Sequence, residues 1–250
     1  MVKVLAVETA TRRQSVAILD GTRVLARSDE DARGAHARWL VPTIDRLLAE
    51  TGLSLTGLDG LAVSIGPGSF TGLRVGLATM MGFRTVAGLP LAAVPTLEAL
   101  AWNHREVGCT ICPILQARTG EVYWALYRWT SETVLTRISE ARAGTLRALG
   151  ESITDSTVVL GDGWEGNEDE LQLVLAERMV KVEQAPPEAM AVSAVSVGLA
   201  GLERLARGDK ASQGLVPLYV QRAEAEVAWE RRAPAVASIP GRDEGGHGQS

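Results

Sequence analysis

The chain has 250 residues, 46% of them hydrophobic and only 4% aromatic, with a formal net charge of −5. That length is enough to bury a proper core and makes one or two domains. The acidic balance argues against a chain-wide attraction for nucleic acid, although 25 Lys and Arg leave room for a local basic patch.

No basic leader with an apolar block opens the chain, and no apolar stretch is long enough to span a bilayer. A soluble protein of the reducing cytoplasm is expected. Cys109 and Cys112 are spaced C-x-x-C, as in a redox pair or half a zinc site. They sit in a strand-like run, residues 109–115, and not at a helix start that would lower a thiol pKa. No second cysteine pair completes a tetrahedral set, so a structural role is expected for both.

Residues 2–7 and 15–19 are short apolar runs, and Asp20-Gly21 is a hairpin signal leading to a third strand over 23–27. Leu40, Ile44, Leu47 and Leu48 then recur at helical spacing, with Pro42 as a kink or restart and Gly52 as the stop. Residues 61–65 are nearly all apolar, which suits a central strand covered on both faces.

The string Gly66-Pro67-Gly68-Ser69-Phe70-Thr71-Gly72-Leu73-Arg74 follows directly. It reads as a tight glycine turn into a helix N-terminus, capped by Ser69 or Thr71. Such a junction holds a phosphate or forms a rigid surface for a partner. The helix over 72–87 carries Gly72, Gly76 and Ala78 as a thin face, and Gly88 and Pro90 end it. A strand over 91–94 and a helix capped by Thr96, running to about 104, complete a first unit.

The second unit opens with strands over 110–116 and 121–129, the latter carrying bulky groups on both faces. A strand over 134–137 and a short helix over 143–149 follow. Residues 158–160 run into Gly161-Asp162-Gly163-Trp164, again a strand followed by a glycine turn. Val192, Val195, Leu199, Leu202 and Leu205 mark a long helix over about 190–207. The expected division is 1–105, 106–220 with its last helix packing back on the first unit, and a tail over 221–250. The end of that tail has a disordered composition.

Two halves that each hold antiparallel strands and a strand–glycine turn resemble the actin-like ATPase superfamily. The resemblance implies an α/β, two-lobed, duplicated ribonuclease H-like fold with mixed sheets flanked by helices. Residues 5–10, the string 66–74, Gly120-Glu121-Val122-Tyr123, residues 161–164 and Pro217-Leu218-Tyr219-Val220 resemble the bacterial TsaB family more specifically, in one order over about 1–230. That family implies a non-catalytic subunit paired with a catalytic TsaD-type paralogue and a TsaE-type ATPase. The assembly moves threonylcarbamoyl to the adenosine beside the anticodon of tRNA. It also implies a homodimer when the partner is absent, no tightly bound cofactor, ATP or ADP at the complex interface, and no membrane.

Catalytic relatives hold a metal with two histidines four apart on a helix. This chain has only His36, His104 and His247, none so paired, so no metal site of that kind and no catalytic residue is expected. Active kinases of the superfamily carry an Asp-x-Gly-x-Thr-type corner after the first strand; here it is Glu8-Thr9-Ala10-Thr11, without the glycine. A weak nucleotide contact is left to Glu8, Gly161 and Gly163. The resemblance places the partner or dimer surface at His36, Pro42, Arg74, Leu77, Met81 and Phe83, with core packing as the plainer account of Leu77, Met81 and Phe83. Trp124, Tyr127 and Trp129 read as core or a second contact, and Arg222, Trp229, Arg231 and Arg232 as a basic stretch for tRNA or a partner. The competing functions are a stand-alone small-molecule kinase of the same fold and a metallopeptidase-like enzyme.

Overall fold

A computed structural model describes residues 1–32, 35–211 and 215–220. The first sheet takes β1 (Lys3–Glu8), β2 (Arg13–Asp20), β3 (Arg23–Asp31), β4 (Gly60–Ser64) and β5 (Leu91–Val94) in the order β3-β2-β1-β4-β5. The first three are antiparallel and β1, β4 and β5 are parallel. Gly21, at φ 60°, makes the turn between β2 and β3, and β3 extends four residues beyond its expected end.

Two helices cover one face of this sheet. Helix α1 (His36–Thr51) runs unbroken through Pro42 and ends at Gly52 in the left-handed conformation. Pro42 has no N–H for the carbonyl one turn back, a loss that water offsets on an exposed face. Helix α2 (Phe70–Ala87) ends the same way at Gly88. Leu5, Val7, Val16, Ile18, Leu61 and Val63 pack with Leu40, Ile44, Leu47, Leu77 and Met80 in one core.

The second half starts after α3 (Thr96–Ala101) with β6 (Thr110–Gln116), β7 (Val122–Trp124), β8 (Tyr127–Ser131), β9 (Val134–Arg137) and β10 (Arg142–Gly144). It continues through α4 (Leu146–Ser152), β11 (Thr157–Leu160), α5 (Asp162–Glu165), α6 (Glu168–Ala176) and β12 (Val182–Gln184). The order β10-β7-β6-β11-β12 repeats the first sheet, with β6 antiparallel to β7 and parallel to β11. The fold is therefore a mixed α/β duplication with two helix-flanked sheets, as the sequence suggested.

Other elements also differ from expectation: α6 and β12 were not expected at all. The strand expected over 121–129 is two strands. The amide of Leu126 donates to Ser139 Oγ (2.9 Å) and its carbonyl accepts from Ile138 (2.7 Å), which takes it out of the ladder. Across the break, β6 passes from β8 to β7 at Pro113, which has no N–H to offer either neighbour. Residues 142–144 pair with β7, so the helix there starts only at Leu146, capped by Thr145. The long helix, α7 (Ala194–Ala206), is shorter than read, because the Ser193–Ser196 capping box fixes its start.

Helix α7 lies on the other face of the first sheet. At Gly198 and Gly201 a Cβ would fall under 3.0 Å from Leu19 and Ala62. Those glycines let the helix axis sit close over β1, β2 and β4. The guanidinium of Arg204 donates to both carboxylate oxygens of Glu98 on α3 (3.0 and 2.7 Å), tying the two helices together. Trp129 and Tyr127 are among the largest fully buried side chains, and Trp124 is 2% exposed. All three are core. Arg222, Trp229, Arg231 and Arg232 lie outside the described residues, as does the expected disordered tail.

Candidate functional site

The glycine string between β4 and α2 is packed against the turn that follows β1. The Gly66–Pro67 peptide is cis, and Gly66 and Gly68 have φ of 111° and 153°. The amide of Ser69 donates to the Ala10 carbonyl (2.7 Å). Ser69 Oγ, the N-cap of α2, accepts from the Gly72 amide (3.2 Å). Thr9 Oγ1 donates to the Gly72 carbonyl (2.8 Å). A Cβ at Gly68, Gly72 or Gly76 would come under 3.0 Å from Ala10 or Thr9. The small residues therefore admit the chain's own backbone where a phosphate-binding loop would admit a ligand.

Above the same turn runs the segment 215–220. Leu218 donates its amide to the Ile65 carbonyl (2.7 Å), and a Cβ at Gly66 would meet the Leu218 carbonyl at 2.6 Å. Tyr219 stacks on Phe70 with ring centroids 5.3 Å apart, and the Arg74 guanidinium sits 3.7 Å over the Phe70 ring. Thr96 does not cap α3, whose N-cap is Pro95. Its hydroxyl accepts from the Gly66 amide (3.1 Å) and so braces the loop from below.

Glu8 ends β1 fully buried. Its carboxylate accepts from the Ala10 amide (2.5 Å), Thr11 Oγ1 (3.0 Å) and Ser64 Oγ (3.5 Å). Burial pushes its pKa up to about 7 against the pull of those hydrogen bonds. Glu8 is thus a cap for the Thr9–Ala10 turn. His36 opens α1 at 4% exposure with no partner for Nδ1 among the described residues, and burial lowers its pKa. Neither amide atom of the buried Gln14 on β2 has a partner among the described residues.

The second half repeats the arrangement. A Cβ at Gly161, which has φ 115°, would come under 3.0 Å from the Ile114 carbonyl, and one at Gly163 would strike Ile114 and Leu115. Asp162 Oδ1 accepts the Gln116 amide (2.9 Å), and burial raises its pKa. Gly161 and Gly163 are thus closed by Ile114, Leu115 and Leu100, as Gly68 and Gly72 are by Thr9 and Ala10.

The residues named for a partner surface divide by depth. Leu77 is 3% exposed and His36 4%, so neither presents its side chain to solvent. Met81 and Phe83 are half-buried, while Pro42 and Arg74 are exposed. Beside them the sequence reading missed Trp39 (44% exposed) and Val41 (48%) on α1. A groove of about 470 Å³ runs between α1 and α2, lined by Val41, Ile44, Leu48, Leu53, Leu55 and Phe83. Exposed large apolar side chains stand beside this groove, which Asp45 and Ser54 also line. Among the described residues, no helix is long and apolar enough to cross a membrane.

The five-stranded first sheet and a five-strand path through the seven-stranded second sheet share one strand order, a duplicated mixed α/β fold. The ROK hexokinase of Thermus thermophilus shares it at a TM-score of 0.51 and 11% identity, over 82% of this chain and all of that one. The family model described as TsaD, tRNA N6-adenosine threonylcarbamoyltransferase, matches residues 28–229. YeaZ from Pseudomonas aeruginosa is 28% identical with a TM-score of 0.70, over 88% of this chain and 100% of that one. The tRNA threonylcarbamoyladenosine biosynthesis protein TsaB of Haemophilus influenzae is 27% identical over 257 residues, 96% of this chain and 98% of that protein. The TsaB of Escherichia coli is 38% identical over 128 residues, so that the match spans about half of each, 50% of this chain and 55% of that protein. The chain belongs to this family, on its bacterial TsaB (YeaZ) branch.

Proposed function

We propose that the chain is the non-catalytic partner subunit of a tRNA threonylcarbamoyltransferase assembly. In this reading it binds a catalytic TsaD-type paralogue and leaves the transfer chemistry to it. The observation that carries the reading is the closed corner. Thr9 and Ala10 occupy the space at Gly68, Gly72 and Gly76, and Glu8 is consumed in capping their turn. A chain that fills its own phosphate corner keeps the fold of a nucleotide-binding enzyme as a scaffold for surfaces. The kinase reading needs that corner open, and the peptidase reading needs a paired metal set or a nucleophile with its base.

The docking face is assigned to α1 and α2, with Trp39, Val41, Pro42, Arg74, Met81 and Phe83 toward the partner and His36 and Leu77 beneath them. The same face serves a homodimer when the partner is absent. ATP or ADP is assigned to the interface with the catalytic subunit, where a TsaE-type ATPase acts, and tRNA reaches this chain through the complex. The test is reconstitution: tRNA modification is measured with this chain alone, with the catalytic subunit alone, and with both. The reading expects modification only with both, and a co-eluting complex of the two. Modification by this chain alone, or no complex, overturns it.

A further inference from the structure

We propose that His104, Glu106 and Cys109 form a binding site for a borderline-soft divalent cation such as Zn²⁺. The three residues lie on the loop between α3 and β6, on a different part of the unit from the glycine corners and the docking face. One imidazole nitrogen, one carboxylate oxygen and the Cys109 sulfur all lie within 4.8 Å of one another. His104 Nε2 and Glu106 Oε2 are 3.3 Å apart. Two such ligands on a tetrahedral zinc, each about 2.0–2.1 Å from it, stand about 3.3–3.4 Å apart. That pair already has the separation a zinc ion imposes, and a rotation of the exposed Glu106 and of Cys109 draws in the sulfur.

The loop is held in place by its own neighbours. Trp129 Nε1 donates to the His104 carbonyl (2.8 Å), and the Gly108 amide donates to the Trp129 carbonyl (2.9 Å). Arg105 lies over the Trp129 and Trp102 rings at 4.8 and 5.2 Å. Gly108, at φ 84°, turns the chain back so that the Cys109 amide reaches the Glu106 carbonyl (3.3 Å). A donor set fixed by backbone hydrogen bonds loses little entropy on closing around an ion.

The donor chemistry selects the ion. A thiolate, an imidazole and one carboxylate suit Zn²⁺ or Co²⁺ and disfavour Mg²⁺ and Ca²⁺, which take oxygen. Three protein ligands leave a fourth position for water on the exposed side. On binding, the ion replaces the thiol proton, which passes to buffer, and displaces the proton shared between His104 Nε2 and Glu106, the imidazole keeping its proton on Nδ1; the Cys109 Sγ–Thr110 carbonyl hydrogen bond (3.4 Å) opens. Cys112 is fully buried in β6 and is not one of the donors.

The full chain, stripped with chelator, is titrated with Co²⁺ and read by absorption, then back-titrated with Zn²⁺. A thiolate-to-cobalt charge-transfer band is expected at one ion per chain, displaced by Zn²⁺. Cys109→Ser removes the band, and His104→Ala weakens binding at least about tenfold. Zinc raises the melting temperature of the wild type and not of His104→Ala, which keeps the test independent of how well either variant folds. Absence of the band at saturating Co²⁺, its persistence in Cys109→Ser, or unchanged affinity in His104→Ala overturns the proposal.

Discussion

Gly72→Ala isolates the reason for the glycine string. In an open helix, alanine stabilises relative to glycine by about 0.5–1 kcal/mol, because glycine loses more backbone entropy on folding. At Gly72 the added Cβ falls under 3.0 Å from the Thr9 carbonyl oxygen, a backbone atom with no rotamer to yield. Overpacking of that kind costs about 2–3 kcal/mol. The shift also strains the Thr9 Oγ1 bond to the Gly72 carbonyl, 2.8 Å long, worth about 1 kcal/mol. After the helix gain is subtracted, the variant is destabilised by about 2–3 kcal/mol, and its melting temperature falls by about 4–12 °C. Gly82 in the same helix has nothing within 4 Å of its Cβ position. Gly82→Ala therefore raises the melting temperature by about 1–4 °C. Thermal unfolding of the two variants by circular dichroism reads both signs. A Gly72→Ala protein that melts at or above the wild type would refute the close approach as the reason for this glycine.

Glu8→Gln tests the buried cap. Glu8 titrates near 7 in the fold and near 4.5 when free, so its protonated form is the one the fold favours. That contribution is complete below about pH 4.5 and is lost as pH rises to about 7, by about 3 kcal/mol. The wild type should lose stability relative to Glu8→Gln across this window, followed by denaturant unfolding at several pH values; a pH-independent difference contradicts the burial of the ionised carboxylate. Ser69→Ala removes the N-cap of α2 and lowers stability by about 1 kcal/mol in the same assay; no change would show that the Gly72 amide is satisfied without it. Arg204→Ala leaves Glu98 half-enclosed without its bidentate partner, at a cost of about 1–3 kcal/mol after allowance for its partial exposure. Glu98→Gln should recover part of that loss in the double variant, and strict additivity would argue against a coupled pair. Trp39→Glu with Val41→Glu places charge on the exposed face of α1, so the monomer's melting point holds while binding to the catalytic subunit weakens at least about tenfold; unchanged binding by calorimetry would move the docking face elsewhere.

Much of this fold was readable because its signals are local. The apolar run at 61–65, the glycine turn and the stop at Gly88 and Pro90 each act within a few residues, and β4 and α2 follow them closely. The break between β7 and β8 was not readable, because Ser139 and Ile138 impose it from outside the run. Pro113 was its one local sign. Helix α2 is apolar on most sides, so periodicity alone left open whether Leu77 or Met81 faces inward; the sheet beneath decides. The glycine string could be recognised from sequence, and the altered Glu8 corner already favoured a rigid support over a phosphate site, but the contacts that close it could not be read. Whether Gly68 and Gly72 admit a phosphate or a neighbouring turn depends on Thr9 and Ala10, which lie some sixty residues earlier in the chain. The strap formed by Leu218 and Tyr219 over Gly66 is likewise a long-range contact, and the His104–Cys109 cluster arises only where Gly108 turns the loop.

The central claim is that this chain supplies a surface and not a reaction. Threonylcarbamoyl transfer to tRNA, measured by mass spectrometry of digested tRNA, tests it most directly when this chain, the catalytic subunit and the ATPase are each omitted in turn. The account predicts no modified adenosine from this chain without the catalytic subunit, and a loss of modification when Trp39→Glu with Val41→Glu replaces the wild type. Modified adenosine from this chain in the absence of the catalytic subunit would contradict it.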